Sequence, residues 1–251
     1  MVDFVGAGCG AADLITLRGK RLIEEADVII YAGSLVNPEL LGFAKESCEV
    51  HNSAYMDLDQ VISVMVKAEA DGKKIVRLHT GDPSVYGAIR EQMDRLDKLG
   101  IDYNVCPGVS AFCGAAAALK AEYTLPEVSQ TVIITRMAGR TPVPEKESIE
   151  SLAAHHATMV IFLSTGMLKD LSERLISGGY SPDSPAAIVY KASWKDEKIM
   201  RCTVAQLAET AEKNGIRKTA LITVGDFLGD DYALSKLYDK TFETEFRKAK
   251  K

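Results

Sequence analysis

Val2-Asp3-Phe4-Val5-Gly6-Ala7-Gly8-Cys9-Gly10 opens the chain with a short apolar run that breaks into closely spaced glycines. The runs DVIIYA (27–32), CEVHN (48–52), KKIVRLHT (73–80) and DYNVCP (102–107) have the same character, each short and rich in β-branched or aromatic residues. Longer stretches of helical period lie between them. LRGKRLIEEA (17–26) is apolar at Leu17, Leu22, Ile23 and Ala26, and LDQVISVMVKAEADGKK (58–74) at Leu58, Val61, Ile62, Met65 and Val66 before Gly72. Both read as surface helices packed on a sheet. Strands alternating with helices predict a parallel sheet with crossover connections.

The pattern changes at AEYTLPEVSQ (121–130), a proline-containing connector after an alanine-rich stretch, which divides the chain into domains 1–120 and 121–251. TVIITR, ATMVIFLS, PAAIVYKAS, EKIMRCTV and TALITVG come after it. IVYKAS and KIMRCT are joined by the turn-forming Trp194 to Glu197, which predicts an antiparallel hairpin. The second domain is therefore expected to hold a mixed sheet, and the fold class is α/β in two domains. Beyond Gly229, DDYALSKLYDKTFETEFRKAKK is amphipathic and aromatic and is expected to dock on a surface.

Composition narrows the function. Of 251 residues, 47% are apolar and 26% charged, within the ordinary range of globular proteins. Thirty basic residues against thirty-five acidic ones leave a formal charge of −5, and the only basic run is short and C-terminal, which argues against a nucleic-acid binder. No apolar run reaches the roughly eighteen residues of a membrane span, and no leader pattern precedes the first strand, so a membrane or secreted product is not expected. Cys9, Cys48, Cys106, Cys113 and Cys202 are odd in number and widely spaced, with no CxxC pair, and read as reduced thiols of a cytoplasmic protein, mostly filling the core. His155 and His156 are adjacent, so on a helix they project about 100° apart and do not share a metal. No metal site is expected.

The chemistry is expected at three glycine turns that end strands. In Val5-Gly6-Ala7-Gly8-Cys9-Gly10, Gly6 and Gly8 fit a dinucleotide fingerprint, but only Ala11 stands at the third position and DVIIYA ends without an acid for a ribose; a tight turn without a ligand is the alternative. Thr16 is placed to cap the first helix. His79-Thr80-Gly81-Asp82-Pro83-Ser84-Val85-Tyr86-Gly87 ends its strand where open α/β sheets bind ligands, and Asp82-Pro83 also reads as the N-cap and first residue of a helix. Pro107-Gly108-Val109-Ser110 is the third. In a parallel sheet the three converge on one rim.

These residues carry a resemblance that runs from end to end. VGAGCGAADLITLRG resembles the N-terminal VGAGPGDPDLIT motif of the tetrapyrrole methyltransferases, HTGDPSVYG their GDPxxYG loop, and CPGVSAFCGAAA their PGVS segment. TVIITRMAGRTPVPE, IVYKASWKDEKIMRCTV and YALSKLYDKTFETEFR resemble the branch that methylates C11 of precorrin-4 or cobalt-precorrin-4 in cobalamin biosynthesis. The resemblance implies a two-domain fold unlike the usual Rossmann methyltransferase, S-adenosylmethionine as cofactor with S-adenosylhomocysteine as product, an active site in the interdomain cleft, a tetrapyrrole substrate and a homodimer. By position it places cofactor contacts on Cys9, Gly81, Asp82, Val85, Ser110, Ala111, Leu163, Ala192, Ala220 and Leu221. The departure is Cys9-Gly10-Ala11-Ala12 where the family has Pro-Gly-Asp-Pro, which removes a proline and an acid.

For the polyanionic substrate the candidates are Arg136, Arg140 and Lys191, with Arg136 foremost. Asp82, Tyr86 and His79 are the candidate proton acceptors, with solvent or a substrate carboxylate as alternatives. In Met159, Ile161 and Leu163 the first two are expected in the core and Leu163 at the ligand. Methylation of another corrin or porphyrinogen carbon is the alternative within the family. A tetrapyrrole carrier and an NAD-binding oxidoreductase are the readings from other classes. Whether the substrate carries cobalt stays open.

Overall fold

The computed structural model describes residues 1–250. It divides into two compact units, Met1–Ala115 with Lys191–Glu197, and Ala116–Tyr190 with Lys198–Lys251. The connector Lys191–Glu197 thus goes with the first unit, which a cut at a single chain position does not reveal.

The first unit is built on β1 (Val2–Gly6), β2 (Val28–Tyr31), β3 (Glu49–Asn52), β4 (Ile75–His79) and β5 (Tyr103–Cys106), with α1 (Leu17–Glu25), α2 (Leu58–Ala70) and α3 (Ile89–Leu99) between them. The strands form one sheet in the order β3-β2-β4-β1-β5, and every pair is parallel. Both faces are covered, which explains the near-continuous apolar runs. Phe4, Ile30, Met65 and Leu96 pack on one side, and Val5, Ile23, Ile29 and Leu78 on the other. The register fixes where the loops emerge: Gly6 lies opposite His79 and Val5 opposite Cys106, so β1, β4 and β5 release their next residues side by side.

Local signals set the helices. Thr16 caps α1 as expected, accepting the Gly19 N–H, and Asp57 with Gln60 forms a reciprocal capping box on α2. Two details differ from the periodic reading. Leu17 is 89% exposed. With the phase set by Thr16, Gly19 and Ile23 face the sheet four residues apart, and Leu17, two positions before Gly19, points away. Val66 likewise lies on the outer side of α2, whose buried positions are Val61, Ile62, Met65 and Ala68.

The second unit carries β6 (Val132–Arg136), β7 (Thr158–Phe162), β8 (Pro185–Tyr190), β9 (Lys198–Thr203) and β10 (Ala220–Val224) in the order β6-β7-β10-β8-β9. Only β6 and β7 are parallel, so the sheet is mixed, and β8 and β9 form the expected antiparallel hairpin. α5 (Ile149–Ala153), α6 (Leu168–Ser177) and α7 (Leu207–Lys213) accompany this sheet, while α4 (Ala111–Leu119) holds the alanine-rich stretch ahead of the connector. Met159, Ile161, Leu171, Ile188 and Ile222 form its core.

The tail does not dock within the described chain: Leu234, Tyr238 and Phe246 are 82%, 83% and 96% exposed, and Arg247 ties the segment to itself by donating to the Leu237 and Asp239 carbonyls. Of the five free cysteines, Cys9 and Cys106 are buried, Cys48 and Cys202 pack partly buried against the cores of the first and second units, and Cys113 is exposed, so the core-filling reading fails for Cys113 alone among them. His155 and His156 follow the end of α5 in a turn rather than sharing a helix. Among the described residues no helix is long and apolar enough to cross a membrane, and no three His, Cys, Asp or Glu side chains gather as a metal ion requires.

Because Ile23 is fully enclosed and Leu17 is not, the two leucine-sized truncations on α1 should separate. Ile23→Ala is expected to cost about 2–5 kcal/mol in urea denaturation, and Leu17→Ala to stay within about 0.5 kcal/mol of wild type. A larger loss for Leu17→Ala than for Ile23→Ala would show that the helix faces the sheet with the other phase.

Candidate functional site

The three glycine turns of the first unit meet backbone to backbone. A Cβ on Gly6 would lie 2.6 Å from the Gly108 Cα and from the Gly81 carbonyl oxygen, and one on Gly108 would lie 2.2 Å from that same oxygen. Neither position has room for any side chain. The first and second loops also pair like strands, with Gly8 N–H donating to Gly81 O at 3.2 Å and Gly81 N–H to Gly8 O at 3.0 Å. Gly81 in turn lies against Ser110 and Ala111, since its Cβ would sit 3.4 Å from the Ala111 nitrogen. The convergence expected of a parallel sheet is thus achieved by direct contact.

Asp82 is the side chain that locks this arrangement. One carboxylate oxygen accepts from the Ser84 N–H at 2.8 Å and from the Ser84 hydroxyl, and the other accepts from the Gly108 N–H at 2.9 Å. Burial raises its pKa, but the Ser84 hydroxyl and the Gly108 and Ser84 amides outweigh that and hold the carboxyl below its ordinary value. An anion so stabilised is a poor proton acceptor. Asp82-Pro83 does not start a helix, which corrects the capping reading: residues 83–86 form a turn and α3 begins at Ile89 after Ala88 in a left-handed conformation. Tyr86 has φ +56° in this turn and is exposed, and Val85 donates its N–H to the Asp82 carbonyl.

His79 sits below the loop, stacked on Phe4 with ring centroids 6.0 Å apart. Burial, helped by the Arg77 charge, pushes its pKa down to about 3, so it too is a weak base at neutral pH. Arg77 itself is buried and donates to Gln92 Oε1 at 3.0 Å and to the Ile30 carbonyl at 3.2 Å. At the strand end the Thr80 hydroxyl is buried without a hydrogen-bond partner among the described residues. A buried hydroxyl left without a partner is costly, and one at the carboxyl end of a parallel strand, beside the Gly81 turn, fits a polar ligand.

Of the positions assigned to the cofactor by resemblance, the first unit therefore brings Gly81, Asp82, Val85, Ser110 and Ala111 into one cluster. Cys9 and Ala192 form a second group with Gly114, where a Cβ would lie 2.8 Å from Cys9 Sγ and 3.4 Å from the Ala192 Cβ. Ser193 and Asn37 join that group without having been singled out in the sequence. Asn37 donates to the Gly10 carbonyl at 3.0 Å while also capping the turn at Pro38, and Ser193 Oγ accepts the Ala11 N–H at 2.9 Å. Lys191 pairs with Asp196 at 2.6 Å and lies over the Trp194 ring.

The second unit holds the other assigned positions. Met159 and Ile161 are fully enclosed, as expected of them, whereas Leu163 follows β7 with φ +53° and is 65% exposed. Ala220 and Leu221 open β10, where the Ala220 carbonyl accepts from Thr165. The Arg136 guanidinium donates to the Met137, Thr141 and Pro142 carbonyls, so it shapes its own loop, and Arg140 stands exposed on that loop.

A family model for Tetrapyrrole (Corrin/Porphyrin) Methylases matches residues 1–208, and the chain belongs to that family. Among its relatives, the cobalt-precorrin-4 C(11)-methyltransferase of Methanocaldococcus jannaschii is 59% identical over 251 residues, covering 100% of this chain and 97% of that protein. The precorrin-4 C(11)-methyltransferase of a Sinorhizobium species is 44% identical, covering 98% of each chain. Among solved structures, the X-ray structure of cobalt precorrin-4 methyltransferase, a cobalamin biosynthetic enzyme, matches with a TM-score of 0.89 and 46% identity over 91% of this chain and 96% of its own.

The state of His79 has a consequence for acid stability. An unfolded histidine protonates near pH 6.5, whereas the folded one is held neutral until about pH 3. Its contribution is therefore complete above pH 6.5 and is lost as the pH falls toward 3. The non-titrating variant His79→Gln is expected to lose less stability than wild type between pH 7 and pH 4, measured by urea denaturation at each pH. Parallel pH profiles would show that His79 is protonated in the folded protein.

Proposed function

We propose that the protein transfers the methyl group of S-adenosylmethionine to C11 of cobalt-precorrin-4 or precorrin-4 in cobalamin biosynthesis. The observation that carries this reading is full-length identity of 59% to a relative of that name, spanning 97% of it. The loop cluster of the first unit supports it. The cofactor brings a methyl group already activated by the positive charge of its sulfonium.

The residues then act by position. Gly81, Ser110 and Ala111 offer backbone at close range, Val85 an apolar wall, and the Thr80 hydroxyl a buried donor or acceptor; Cys9 and Ala192 border the first loop. Asp82 serves this site by fixing the second loop to the third through its two oxygens. Holding a nucleophilic carbon in line about 3–3.5 Å from an activated methyl accounts for most of the acceleration such a reaction needs. No strong base is required of the chain. Asp82 is tied in hydrogen bonds and His79 titrates at about 3. The proton released on transfer is assigned to solvent or a substrate carboxylate. Tyr86, exposed beside the loop, is proposed to border the macrocycle.

The substrate's acetate and propionate groups call for guanidinium or ammonium partners. Arg140 is proposed for that role, with Arg136 shaping the loop that carries it. The protein is proposed to work in the cytoplasm as a homodimer, a reading supported by its free thiols and by the exposed apolar side chains of the tail.

The test is direct. Purified protein incubated with S-adenosylmethionine and cobalt-precorrin-4 or precorrin-4 is expected to yield a product heavier by one methyl group, with the label at C11 when the donor methyl is carbon-13. Absence of a mass gain with both substrates, or a label on another ring carbon, would contradict the assignment.

A further inference from the structure

The first loop presents a mechanical problem. Where the family motif resembled by this chain carries Pro-Gly-Asp-Pro, the sequence has Cys9-Gly10-Ala11-Ala12, four residues with no ring to restrict the backbone and, apart from the Cys9 thiol, no polar side chain to brace it. Packing holds it unevenly: Cys9 and Gly10 are buried and Ala12 rests on the core of the first unit, while Ala11 is only half-buried. Ala11 and Ala12 border a cavity of about 380 Å³, with Asn37, Phe43 and Trp194 across from them. A loop of small residues beside such a space is free to move unless hydrogen bonds hold it.

Those bonds come from outside the loop. Ser193 Oγ accepts the Ala11 N–H at 2.9 Å and lies 3.6 Å from Cys9 Sγ, so one hydroxyl grips both sides of Gly10. Gly10 itself is pressed against the same segment, since a Cβ there would lie 2.3 Å from the Ala192 carbonyl oxygen and 2.6 Å from Ser193 Oγ. Ser193 is presented at φ +64°, a conformation unfavourable for a residue with a Cβ, and is anchored there by its N–H donating to Glu197 Oε2 at 2.6 Å. Lys195 pairs with Glu39 at 2.5 Å, close to Asn37, whose amide holds the Gly10 carbonyl.

We propose that Ser193 is a positioning residue for the methyl donor: its hydroxyl clips the Cys9–Ala11 backbone into the shape that receives the cofactor, supplying the stiffness that these small residues lack. The proposal rests on the methyltransferase reading. It assigns no chemistry to Ser193, which acts through the loop.

The variant Ser193→Gly isolates the clip. Glycine relieves the strain of φ +64° while removing the hydroxyl, so the thermal midpoint is expected to stay level or rise. Hydrogen exchange in the peptide containing Ala11 is expected to accelerate, and affinity for S-adenosylhomocysteine by calorimetry to weaken about fivefold, the value of one hydrogen bond of ordinary strength. Affinity unchanged in the variant while wild type binds would overturn the proposal and leave the functional reading standing. No heat from wild type would overturn both. A fall in thermal midpoint accompanying the loss of affinity would assign Ser193 a general structural role and also overturn it.

Discussion

Three loops of the first unit are in contact through their backbones, and much of the rest of the site is arranged around that fact. Gly6 and Gly108 leave no space for a side chain between themselves and the Gly81 carbonyl, so the ends of β1, β4 and β5 are closer than any other residue would permit. Such an approach leaves peptide groups facing one another, and they must be satisfied. The Gly8–Gly81 pair does so for two loops, and the Asp82 carboxylate does so for the second and third. The acid is thereby committed to structure, which is why its pKa is held low and why it is unsuited to taking a proton.

The chemistry has the same origin. A reaction whose electrophile arrives already activated asks the protein for geometry rather than for a tuned acid or base. Of the three side chains that the sequence offers as bases, Asp82, Tyr86 and His79, Asp82 is weakened as one by its hydrogen bonds and His79 by burial beside Arg77. What remains at the rim is backbone, the buried Thr80 hydroxyl, the exposed Tyr86 and otherwise mostly small side chains.

Much of this was legible in the sequence, for reasons that can be named. Parallel strands buried on both faces write themselves as unbroken β-branched runs, and glycines at their ends mark where the chain must turn in little space, so the sheet and its three loops were readable from Val2 to Ser110. The hairpin of β8 and β9 was readable from the short interval between two strand-like runs. Helix phase was less so: Leu17 and Val66 fit an apolar period, yet Thr16 and the contact of Gly19 with the sheet turn Leu17 outward. Asp82-Pro83 carries the signal of a helix start, but the carboxylate finds better partners in Ser84 and Gly108 and the chain makes only a turn. Ser193 and Asn37 were not legible at all, because their value lies in partners far along the chain, and no local pattern distinguishes a serine that caps nothing from one that holds a distant amide. The aromatic tail carried a signal for docking without a signal for where.

If contact between the glycine backbones shapes the proposed cofactor site, Gly108→Ala must disturb stability and binding together. A methyl group there meets the Gly81 oxygen at 2.2 Å, so the loops must part. Urea denaturation should show a loss of about 1–3 kcal/mol, the usual cost of overpacking, and calorimetry should show S-adenosylhomocysteine binding reduced beyond detection at concentrations that saturate wild type. A Gly108→Ala protein with wild-type stability and wild-type affinity would contradict the account.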